Sequence, residues 1–107
     1  MNENEFFRAA ALTARRVLQE SSANQKDPII HAYELITSQL PTPAEITRLR
    51  AGLKEFRELY SSDPTMTKEL SSQLPSPPTS TSEQIELAAW TMLTHSLLNL
   101  DITKTHQ

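Results

Sequence analysis

The sequence has no cysteine, which removes thiolate nucleophiles, zinc–thiolate sites, disulfides and Cys-x-x-Cys-His attachment of c-type haem. It has a single glycine, Gly52, so there is little material for a phosphate cradle, an oxyanion loop or tight β-hairpin turns. No Gly-x-Ser-x-Gly nucleophile elbow occurs. A basic excess is missing too. Ten Lys and Arg against thirteen Asp and Glu give a net charge of -3, which supplies no global pull toward nucleic acid or acidic membrane. No run reaches the roughly 18–20 apolar residues that span a bilayer, so a soluble domain is expected. The start, Met1-Asn2-Glu3-Asn4-Glu5, is acidic where a secretory signal is basic, and Arg15-Arg16 leads into Gln19-Glu20-Ser21-Ser22 rather than a hydrophobic stretch. Neither ordinary nor twin-arginine export is read in these residues.

What is present is a chain of 107 residues, the length of one domain that can bury a core without disulfides or metals. Sparse β-branched alternation and the lone glycine point to an all-α fold. The stretch 81–103 organises it. Ile85, Leu87, Ala88, Ala89, Trp90, Met92, Leu93, Leu97, Leu98 and Leu100 occupy most of a helix circumference, leaving a polar stripe of Gln84, Thr91 and His95. A helix apolar around that much of its surface is expected to be packed on several sides. Two overlapping capping boxes, Ser80-x-x-Glu83 and Thr81-x-x-Gln84, open it.

The preceding chain supplies the packing partners. Phe7, Ala10, Ala11, Ala14, Val17 and Leu18 recur at three- and four-residue steps, which predicts an amphipathic helix over about 4–21 with Leu12 among its arginines. Ser22 to Lys26 reads as a polar connector. Asp27-Pro28 then pairs a capping carboxylate with a proline at the first helical position, and Ile29, Ala32, Tyr33, Ile36 and Leu40 make the buried stripe of a second helix over 27–40, ended by Pro41. Thr42-Pro43-Ala44-Glu45 is a complete N-terminal signature for a third helix over 43–61, whose seam is Ile46, Leu49, Leu53, Phe56 and Tyr60. Gly52 in its middle reads either as close helix approach or as plain tolerance. Asp63-Pro64 repeats the device ahead of a short helix near 64–74 carrying Met66, Leu70 and Leu74, and the Pro/Ser-rich stretch 75–80 connects it to the last helix. The expected fold is therefore a single four-helix bundle-like domain with one extra short helix. Its expected core is Trp90, Leu93, Leu97, Phe56, Leu53, Tyr33, Ile36, Phe7 and Val17.

Candidate chemistry is thin. The histidines are His31, His95 and His106, and the residues three before them are Pro28, Met92 and Thr103, so the Glu-x-x-His pairs of a di-iron bundle do not occur. His95 with Met92 has the residue types of haem axial ligands, but a single histidine on a helix is far more often a packing or surface group. Glu55 and Glu58 stand among Lys54 and Arg57, the pattern of a solvated, charge-balanced face. Arg50, Lys54 and Arg57 follow an i, i+4, i+7 line and form a basic stripe. With Leu12 they are the candidate interaction surface, better suited to an acidic protein than to phosphates because glutamates interrupt the same helix. No catalytic, cofactor-binding or metal-binding residue is assigned.

Glu86-Leu87-Ala88-Ala89-Trp90-Thr91, followed by Leu97-Leu98-Asn99-Leu100-Asp101 and Thr103, resembles the C-terminal segment of a planctomycete-specific domain of unknown function that closes large cytochrome c-type proteins. Phe7 to Leu18 looks like that family's alanine- and arginine-rich helix, and Tyr33 to Leu49, with Pro41-Thr42-Pro43-Ala44-Glu45, looks like its helix–proline–threonine–helix passage. Two departures stand out: Gln39-Leu40 where the family often has Gly-Arg, and Ile102 where it often has an acidic residue. The resemblance implies the terminal part of a larger exported protein, in the periplasm or cell envelope, whose haem-binding portion, when present, lies upstream. It carries over no catalytic residue. The functional expectation is a non-catalytic helical module contacting other domains of that parent or a protein partner. The alternatives are a domain completing an oxidoreductase or hydrolase site through His31, His95 or the arginine stripe, and, more remotely, nucleic-acid binding.

Overall fold

Three times along the chain a capping side chain is followed by proline, and each time a helix begins. The Asp27 carboxylate accepts from the amide of Ile29 at 2.9 Å, and that of Asp63 accepts from the amide of Met66 at 3.1 Å. Thr42 and Glu45 make a full capping box, Glu45 N–H to Thr42 Oγ1 at 3.2 Å and Thr42 N–H to Glu45 Oε1 at 2.8 Å. The computed structural model describes residues 3–105, and the helices run α1 (Glu3–Asn24), α2 (Pro28–Thr37), α3 (Pro43–Ser62), α4 (Pro64–Ser71) and α5 (Thr81–Thr105). No strand occurs among the described residues. The fold is all-α, with the other four helices packed on α5. Its radius of gyration, 13.5 Å, is close to the roughly 13 Å of a folded domain this long.

α5 is buried much as its apolar circumference requires. Leu87, Ala88, Ala89, Trp90, Leu93 and Leu97 are all buried, and the last five cluster with Ala14 and Val17 of α1, Ile29, Ala32 and Tyr33 of α2, Leu53 and Tyr60 of α3, and Leu70 of α4. Ala11 and Leu74 join Leu87 in a second, smaller cluster. Alanines at 10, 11 and 14 give α1 a slim face, which allows close approach to α5 along its length. Of the expected core, Phe7, Ile36 and Phe56 are half-buried and pack against the centre from its edge.

Several expectations need correction. Within the polar stripe of α5, Thr91 is fully buried and donates its hydroxyl to Leu87 O at 2.7 Å, while Gln84 and His95 are half-buried. A threonine hydroxyl satisfied by its own helix is cheap to bury, so Thr91 does not mark a wet face. The apolar ring also fades early, leaving Leu100 exposed.

α1 runs three residues past Ser21. Its end is closed by Gln25 in the left-handed region (φ 55) and by Lys26 N–H to Ser21 O at 2.9 Å, the Schellman arrangement, here without glycine. α2 stops at Thr37, short of Leu40, because Ser38 turns left-handed (φ 63) and the Thr37 hydroxyl accepts the amide of Gln39. Leu40 is therefore 69 % exposed and does not belong to the buried stripe. α4 ends at Ser71, with Leu74 buried just beyond it in the turn. At the start of α5, Ser80 is the cap, accepting the backbone amide of Glu83 at 3.1 Å, and the side-chain amide of Gln84 donates back into the connector, to Pro78 O at 3.0 Å.

Gly52 is tolerated rather than required. A Cβ placed there meets only Leu93 Cδ1, at 3.9 Å, an ordinary van der Waals contact. Gly52→Ala is therefore expected to raise stability by about 0.5–1 kcal/mol in urea unfolding, through helix propensity alone. Trp90→Ala is expected to lower it by about 3–5 kcal/mol, since it empties the centre of the bundle. Loss of stability in the first variant, or an unchanged midpoint in the second, would contradict this packing.

Candidate functional site

The basic stripe on α3 borders a hollow formed with the start of α2 and the middle of α5. Pro28, Ile29, Arg50, Leu53, Arg57 and Trp90 line about 200 Å³, with apolar side chains as the floor and the two arginines at the rim. Lys54 lies between them in sequence, is exposed, and has no carboxylate within ion-pair reach among the described residues. Leu12 is 45 % exposed on α1, an element that contributes nothing to this hollow, so the structure does not bring it to the stripe.

Both arginines are held by carboxylates of other segments. Arg50 Nη2 donates to Asp27 Oδ2, so the same carboxylate that caps α2 also ties α2 to α3. Arg57 makes a two-pronged contact with Glu86 of α5, Nε to Oε2 at 2.9 Å and Nη2 to Oε1. Trp90 Nε1–H donates to Glu86 Oε1 at 3.1 Å, which satisfies the buried indole and fixes the carboxylate from its own helix. Glu86 favours the charged guanidinium and shifts the Arg57 pKa upward, against the opposing effect of burial. For Asp27 burial is the largest influence and would raise its pKa. Arg50 and the amides of Ile29 and Ile30 together outweigh it, and the carboxyl is held below its ordinary value.

The other candidate groups serve as joints as well. His31 is half-buried on α2, with Nε2 at 2.8 Å from Glu20 Oε1 of α1, and Arg16 Nε binds the other oxygen of Glu20 at 2.9 Å. His31 first, then Arg16, keep the Glu20 carboxyl below its usual range. Tyr33, buried on α2, donates its phenol to Glu45 Oε2 at 2.6 Å, which raises the phenol's pKa and links α2 to the capping box of α3. His95 lies edge-on to Phe6, ring centroids 4.8 Å apart, with Phe7 at 6.5 Å. Met92 is on the same helix one turn before it, so the two cannot take opposite axial positions on one haem iron. His106 lies outside the described residues. Glu55 and Glu58 are exposed. No group of three or more His, Cys, Asp or Glu suited to a metal ion occurs among the described residues.

The joints Asp27–Arg50, Glu20–His31 and Tyr33–Glu45 connect residues distant in sequence, and no local pattern announces them. Glu86 and Trp90, like Arg16 and Glu20, are four apart, so these contacts do carry a signal in the spacing. Comparisons with protein-family models, curated proteins and solved structures find no match to this chain.

Lowered folded-state pKa values at Glu20 and Asp27 fix the sign of an acid response. Their contribution is fully present above the unfolded carboxylate values, near pH 4, and is lost as pH falls through the lower folded values. Urea midpoints are thus expected to fall as pH drops below about 4. Asp27→Asn, which keeps a capping side chain but not the charge, is expected to flatten that fall. An acid limb identical in parent and variant would contradict the assigned role of Asp27.

Proposed function

We propose that this chain is a non-catalytic helical interaction module that packs against, or recruits partners to, a larger exported protein with a haem-bearing portion. One observation carries the reading. His31, Arg50 and Arg57, the groups best suited to chemistry, are engaged in joining helices, while Lys54, between the two arginines in sequence, stays exposed and outside every ion pair among the described residues. The hollow under that rim, about 200 Å³, is smaller than the roughly 300–1,000 Å³ of a typical small-molecule site. A surface of this kind suits contact with another polypeptide. The resemblance of residues 86–91 and 97–101 to a planctomycete-specific domain points to the parent, and because this chain has no cysteine, covalent haem belongs to another part of it. No helix among the described residues is long and apolar enough to cross a membrane.

The test is immunodetection of the native polypeptide in envelope and soluble fractions, with the same bands stained for covalent haem. The expected result is a haem-positive envelope band far larger than 12.1 kDa. A haem-free soluble band of that small size would overturn the assignment to a larger parent. For the non-catalytic part, His31→Ala and His95→Ala in the parent are expected to leave its activity unchanged, and loss of activity would favour a module that completes an active site.

A further inference from the structure

We propose that the hollow between the start of α2, α3 and α5 is a docking site for an acidic, extended protein segment with one apolar anchor side chain. The inference rests on the interaction-module reading and names its partner. Charge complementarity carries it. Arg50, Lys54 and Arg57 fall within about 60° of arc on α3, and their positions along the axis are about 6 Å and 4.5 Å apart. In an extended chain, side chains on one face repeat about every 6.6 Å, so alternating carboxylates match this row of cations to within side-chain reach.

The cations retain capacity for such a partner. A guanidinium carries five N–H donors; Arg50 uses one nitrogen on Asp27, and Arg57 uses two on Glu86. The Lys54 ammonium is unpaired among the described residues. Asp27 and Glu86 hold the guanidiniums in place before binding, which lowers the ordering cost of recognition. The floor of Ile29, Leu53 and Trp90 gives an apolar side chain a place to insert, and 200 Å³ accommodates one such group. A nucleic acid fits less well, because phosphate binding goes with a basic excess over the domain and this chain has a net charge of -3.

Trp90 is the chain's one tryptophan and part of the floor, so its emission reports occupancy of this place. The probe is a synthetic nonapeptide of alternating Asp and Glu around a central Phe, labelled for anisotropy, with a Lys-for-acid twin and a duplex oligonucleotide as comparisons. The expected result is saturable binding of the acidic peptide with a change in Trp90 emission, an affinity that falls as salt rises, and no binding of the twin. Lys54→Glu, at an exposed position outside every ion pair described, is expected to weaken binding about threefold or more while leaving the urea midpoint unchanged. Arg57→Gln is expected to weaken it further. Equal binding of the basic twin, binding without any change in Trp90 emission, preferential binding of the duplex, self-association of the chain that the peptide does not compete with, or unchanged affinity in Lys54→Glu would each overturn the proposal. This titration reads the surface alone, whereas the size and haem content of the native polypeptide test the module assignment, so the two fail separately.

Discussion

A helix that is apolar around most of its circumference cannot rest against one neighbour, and the rest of this fold follows from covering α5. Each buried Leu or Trp side chain is worth about 1.5–3 kcal/mol relative to exposure, but only when water is excluded from every side. α1 and α3 cover α5 along its length, α2 closes the gap over Trp90, and α4 with the turn at Leu74 seals the end near Leu87 and Tyr60. The short helix is part of that enclosure and not an appendage. Its buried Thr67 donates to Tyr60 O at 2.7 Å, tying α4 to the end of α3.

Around this core, carboxylates do two jobs at once. Asp27 caps α2 and holds Arg50; Glu45 completes the capping box of α3 and accepts from Tyr33; Glu86 joins α3 to α5 and satisfies Trp90. Each pairs a local structural need with a contact between helices, and for Asp27 and Glu45 the start of a helix and its docking are set by the same side chain. Arg15 works in a related way, donating to the carbonyls of Pro75 and Ser76 and pinning the proline-rich connector against α1. Most of these ion pairs are partly exposed, so they add little to stability individually; what they fix is register. The arginines left at the rim are thereby oriented before any partner arrives, and that links the architecture to the proposed recognition of an acidic segment.

The sequence was legible where the physics is local. Asp27-Pro28, Thr42-Pro43-Ala44-Glu45 and Asp63-Pro64 mark helix starts because capping and proline geometry act within four residues. Trp90, Leu93, Leu97 and Leu53 read as core because periodicity carries burial. Helix ends were harder. α1 and α2 close on left-handed Gln25 and Ser38, residues that give no warning because glycine is the usual signal there. Residue type alone does not give the burial of Thr91, since a hydroxyl bonded back to its own helix is polar in type but dry in place. The candidate surface was half visible: the spacing of Arg50, Lys54 and Arg57 showed the stripe, while the Trp90 floor and the carboxylate partners arise only when α2, α3 and α5 meet.

That α5 is the element on which the other four depend makes a definite statement about how the molecule opens, and native-state hydrogen exchange in increasing urea tests it. Amides of residues 87–97 are expected to exchange slowest of all and only through global unfolding, with an opening free energy equal to that of the whole chain. Exchange of those amides through a smaller, local opening while amides of α1 or α3 remain protected would show that α5 is not the hub.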